Sequence, residues 1–86
     1  MHLYRHQSLD DTRGRVLMAL CALYVPGRRV SMRQVAQLAN VGETQVYGIA
    51  SWLERNGYAD KRGAQGVPEW VPVKRADGSP FVRAAA

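Results

Sequence analysis

Between Ser31 and Asn56 lie two short helical patterns separated by only three residues, Asn40-Val41-Gly42, and this spacing constrains the fold more than any other feature of the chain. Two helices joined so tightly must cross steeply. The crossing needs a small residue at the contact, a turn residue able to take positive φ, and an apolar plug just after it. Ala36, Asn40 and Val41 supply the three. Ser31 opens the first of these helices with a capping box, Ser31-x-x-Gln34. The spacing predicts a helix over Met32–Ala39, with Val35, Leu38 and Ala39 turned inward, and another over Glu43–Arg55, with Val46, Ile49, Ala50 and Leu53 inward. Asn56-Gly57 closes the latter, both residues tolerating the left-handed conformation that often ends a helix. Its outward residues are then Glu43, Thr44, Gln45, Tyr47, Gly48, Ser51 and Arg55, while Trp52 stands beside the core face, expected to pack against the hairpin or a second chain.

An earlier helix is predicted from Leu9 to Val25, capped by Ser8, with Asp10 and Asp11 in the first turn where negative charge suits the helix dipole. Pro26-Gly27 ends it, and Arg28-Arg29-Val30 amounts to a stub of strand at most. Val16, Leu17, Leu20, Leu23 and Tyr24 form its strongest apolar face. Met18, Cys21, Ala22 and Val25 add a second stripe, which the hairpin, the tail or another copy of the chain must cover.

Beyond Gly57 the pattern changes to two short extended runs, Tyr58–Arg62 and Val67–Val73, around the loop Gly63-Ala64-Gln65-Gly66. This reads as a hairpin whose second strand lies at an edge, because Pro68 and Pro72 cannot donate to a ladder. The chain divides into an N-terminal arm (1–8), one folded domain (9–73) and a polar tail (74–86) with a turn at Asp77-Gly78-Ser79-Pro80.

Composition narrows the function. Ten arginines and two lysines stand against seven acidic residues, giving a net charge of +5 that favours polyanionic partners. No apolar run approaches the ~20 residues of a membrane span, and the first residues lack the apolar stretch of a secretory signal. Cys21 is the sole cysteine and reads as a small buried apolar residue, which fits a reducing, cytoplasmic setting. Neither metal-ligand spacing nor a phosphate-cradling glycine loop nor a nucleophile–base pair is evident, so neither an enzyme nor a cofactor nor a small-molecule substrate is expected.

The order helix, stub, helix, tight turn, helix, hairpin resembles the winged helix-turn-helix family over about residues 9–73. Met32–Ile49 carries the likeness best, and Trp52-Leu53-Glu54-Arg55-Asn56-Gly57-Tyr58-Ala59 is similar to the helix end and wing start of bacterial winged-helix regulators. Asn40 replaces the family's usual glycine. The resemblance implies an α+β, mainly α fold: a three-helix core with a helix-turn-helix and a C-terminal β-hairpin wing. It further implies a bacterial or phage transcriptional regulator that occupies double-stranded DNA, expected as a homodimer because of the extra apolar stripe. The alternative is a winged-helix module for protein–protein contact, such as an antirepressor or assembly factor.

In that family geometry the Gly42–Asn56 helix enters the major groove, where Thr44, Gln45, Tyr47, Gly48 and Ser51 would meet bases. Gln45 can pair bidentately with adenine, Thr44 can meet a thymine methyl, and Gly48 lets the backbone approach closely. Glu43 either favours the helix dipole or accepts from a cytosine amino group. No lysine or arginine lies between Gln34 and Glu54. Phosphate contacts therefore fall to Arg28, Arg29, Arg33, Arg55, Lys61, Arg62, Lys74 and Arg75 around the helix. Pro68-Glu69-Trp70 is similar to the wing of winged domains that bind Z-form nucleic acid. Those domains pair an asparagine with a tyrosine on the recognition helix, whereas Tyr47 and Ser51 stand here, so Trp70 is read instead as closing the hairpin over the third helix.

Overall fold

Three helices followed by a two-stranded antiparallel sheet make an α+β, mainly α fold in the computed structural model, which describes residues 9–63 and 69–82. The elements are α1 (Asp11–Leu23), α2 (Met32–Ala39), α3 (Glu43–Arg55), β1 (Ala59–Arg62) and β2 (Glu69–Pro72). The predicted limits of the second and third helices agree with these bounds. The first helix is shorter than Leu9–Val25. Asp10 rather than Ser8 caps it, its carboxylate accepting from the Arg13 N–H at 2.8 Å, and Tyr24 is already extended, with ψ 131°. Ser8 lies outside the described residues, as do 64–68 at the hairpin loop, Val67 and Pro68 among them.

Each end of the α2–turn–α3 unit is closed by local chemistry. Ser31 Oγ accepts from the Gln34 N–H, satisfying one orphan donor of α2. Asn40 takes the left-handed conformation (φ 59°, ψ 51°), so that its N–H donates to Gln37 O and that of Val41 to Ala36 O. The pair of bonds is a Schellman closure, and it turns the chain within three residues. Gly57, at φ 82°, repeats the device after α3, with Gly57 N donating to Glu54 O and Tyr58 N to Leu53 O. Arg15 adds a brace from α1: its Nε donates to Ala39 O at 2.9 Å while its guanidinium pairs with Asp11.

The core lies between the three helices and the open end of the hairpin. Val16, Leu17 and Leu20 of α1, Val35 and Ala36 of α2, and Val46, Ala50 and Leu53 of α3 meet there, with Ala59 and Trp70 from the strands. Val41 packs against this cluster as the expected plug. One expectation fails. Leu38, read as inward, is 58% exposed, because it lines an open cleft with Met18 and Ala22 of α1 that no described residue fills. Arg28-Arg29-Val30 forms no strand, within the limit of a stub at most, and Val30 enters the core as a single buried side chain.

In the sheet Ala59 pairs with Pro72 and Arg62 with Glu69. With two strands both are edges, so Pro72 leaves no partner without a bond. Residues 73–82 then fold back. The N–H groups of Val73 and Lys74 both donate to Tyr58 O, and Phe81 N donates to Val73 O across a turn in which Lys74 bridges Pro80. Asp77 Oδ1 accepts from the Ser79 N–H and hydroxyl, and these bonds hold its carboxyl below the ordinary range. Phe81 meets Tyr24 edge-on at 5.9 Å, and Lys74 O approaches Cys21 Sγ at 4.0 Å, so this segment lies against part of the second stripe of α1. Met18 remains 62% exposed. No helix among the described residues is long and apolar enough to cross a membrane.

Candidate nucleic-acid interface

The outer face of α3 is set by the residues that bury its inner one. Val46, Ala50 and Leu53 point into the core with Trp52 beside them, which leaves Thr44, Gly48 and Arg55 along the opposite stripe, with half-buried Ser51 at its margin. That stripe is uncharged until Arg55. Gly48 lies in the helix interior, and a Cβ built on it would meet nothing within 4 Å, so neither packing nor a special φ explains the glycine.

Both flanks of α3 are held by aromatic contacts. On one side Tyr47 meets Trp70 of β2 edge-on, with centroids 5.8 Å apart, and Lys61 Nζ lies 5.5 Å from the same indole. Trp70 is 4% exposed, whereas Tyr47 keeps 44% of its surface open. Trp70 thus closes the hairpin over α3 as the sequence suggests, and it fixes the ring of Tyr47 at the border of the outer stripe. On the other side the Arg13 guanidinium lies 4.2 Å from the Trp52 ring, Tyr58 stacks on the same indole with centroids 6.1 Å apart, and Lys74 Nζ is 5.9 Å from the Tyr58 ring. Arg13 and Arg15 had no role in the sequence reading. Their pairings with Asp10 and Asp11 are local, but the contacts with Trp52 and Ala39 O join distant parts of the chain, and no local pattern marks those.

The basic residues divide by what already engages them. Arg13 and Arg15 serve the fold, and Arg62 approaches Asp60 at 3.6 Å. Arg28, Arg29, Arg33 and Arg55 are exposed and make no ion pair among the described residues. Arg28 and Arg29 line a polar cleft with Ser31 and Gln34 at the start of α2, and Lys61 stands beside Tyr47 across Trp70. Lys74 and Arg75 are placed otherwise. The Lys74 carbonyl lies 4.0 Å from Cys21 Sγ, and Arg75 sits over the Phe81 ring while lining a cleft with Met18, Cys21 and Ala22. The Lys74 ammonium lies over Tyr58 on the Trp52 flank of α3, whereas Arg75 belongs to the α1 side of the molecule. Half-burial there pushes the Cys21 thiol up, against a smaller opposing pull from Arg75.

The polar ends of the stripe differ in freedom. Gly42 caps α3 without a side chain, and Gln45 compensates by folding back so that its Oε1 accepts the Gly42 N–H at 3.3 Å. Thr44, Tyr47 and Ser51 have no such engagement among the described residues. No family model, curated protein or solved structure matches the chain.

Proposed function

We propose that the protein is a sequence-specific regulator of the winged helix-turn-helix kind, which occupies double-stranded DNA as a homodimer with α3 in the major groove. One observation carries this reading. The outer stripe of α3 is exposed and carries no charge from Thr44 to Gly48, while Arg28, Arg29, Arg33 and Arg55 are exposed without an ion pair among the described residues and Lys61 of the hairpin lies over the Trp70 ring that Tyr47 meets. Such a division suits phosphate contacts for affinity and Thr44, Gln45, Tyr47, Gly48 and Ser51 for choice of sequence. The dimer is supported by Met18, Ala22 and Leu38, which line an apolar cleft across α1 and α2.

Titration of random duplex DNA against salt tests the proposal. A log–log slope of several released counterions is expected, falling by about one in Arg29→Ala or Arg62→Ala, with affinity lost equally for all sequences. Absence of binding at low salt refutes it. The same apolar cleft favours a second reading, a module for protein contact, and that reading gains if the chain ignores DNA yet still self-associates. Sedimentation at micromolar concentration showing only monomer refutes the symmetric dimer.

A further inference from the structure

We infer that Gln45 is a donor-only reader of DNA: its carbonyl caps α3, and its NH₂ alone selects a base edge made of acceptors, guanine or thymine. The inference rests on the duplex-binding reading above. A free glutamine takes adenine bidentately, accepting from N6–H and donating to N7. Here Oε1 already accepts from Gly42 N, and Gly42 has no side chain with which to cap the helix itself. Bidentate pairing needs both ends of the amide turned together on one base. The capping bond ties the oxygen to the backbone of the first turn and leaves the NH₂ end without a partner among the described residues. What the side chain retains is a pair of N–H donors. In the major groove guanine offers N7 and O6 and thymine offers O4, whereas adenine sets a donor beside its single acceptor. The partial positive charge at the helix start favours keeping the oxygen where it is.

Selection from random duplexes with the full chain, its Gln45→Ala and its Gln45→Glu variants, tests this. One position of the selected site is expected to carry guanine or thymine, and Gln45→Ala relaxes that preference by about tenfold, the worth of one net hydrogen bond. Gln45→Glu keeps the capping oxygen and removes the donors, so the same position moves to cytosine or adenine, whose edges present N–H groups. Adenine in the wild-type site at a position that Gln45→Ala relaxes overturns the inference, as does relaxation of no position. Amide exchange at Gly42 checks the cap without DNA: it quickens several-fold in Gln45→Ala and holds in Gln45→Glu, and an unchanged rate in Gln45→Ala overturns the cap. A chain that retains no duplex at low salt refutes the underlying reading and the donor role together.

Discussion

Gly48→Ala separates the stability of α3 from its use. Glycine in a helix interior costs about 0.8–1.0 kcal/mol relative to alanine, chiefly because the unfolded chain has more conformations to lose. Here nothing offsets the gain, since a Cβ at Gly48 has open space around it. A stabilisation of about 1 kcal/mol corresponds to a rise in Tm of roughly 4–8 °C for a domain of this size. If the helix backbone lies against a duplex at this point, the added methyl must enter a packed contact, at a cost of about 1–3 kcal/mol in binding. Gly14→Ala in α1 is the control, for that position also has no neighbour within 4 Å and lies away from the α3 stripe. Thermal melting followed by fluorescence anisotropy on a bound duplex reads both effects. Both variants are expected to melt higher, and Gly48→Ala alone to bind roughly 5- to 150-fold more weakly. Equal or tighter binding by Gly48→Ala refutes the close approach. An unchanged Tm in both variants refutes the helix-propensity argument itself.

The turn and the thiol give two further tests. Asn40→Gly should keep or raise stability, because glycine accepts φ 59° freely, whereas Asn40→Ala should lose about 1 kcal/mol by chemical denaturation. Equal stabilities would mean that the turn does not depend on its left-handed residue. The raised thiol of Cys21 predicts slower alkylation than a free cysteine at pH 8, and a stability that falls once pH exceeds the ordinary thiol range, because the unfolded chain ionises first. Alkylation as fast as that of a model thiol counts against the burial.

The α2–turn–α3 unit was legible because its determinants are local. Ser31 reaches its donor three residues on, Asn40 and Gly57 close their helices within a turn, and the spacing of Val46, Ala50 and Leu53 marks the inner face of α3. The outer stripe followed as the complement of that face. Leu38 was misread for the opposite reason: helical spacing gives a direction, and the placement of distant segments decides whether anything covers it. Ser8 was preferred to Asp10 because both are good caps, and only the helix start chosen by packing separates them.

Sequence alone therefore determined the elements, their order, the turn and the face that α3 hides, since each depends on residues within a few positions of one another. Only the tertiary structure decided which cations remain open for a ligand. Arg13 is drawn to Trp52, Arg15 to Ala39 O, Lys74 to Tyr58 and Arg75 to the α1 side, while Arg28, Arg29, Arg33 and Arg55 stay unpaired among the described residues. A side chain's charge is written in the sequence, but its partner is set by contacts between distant segments, which exist only after the core has closed.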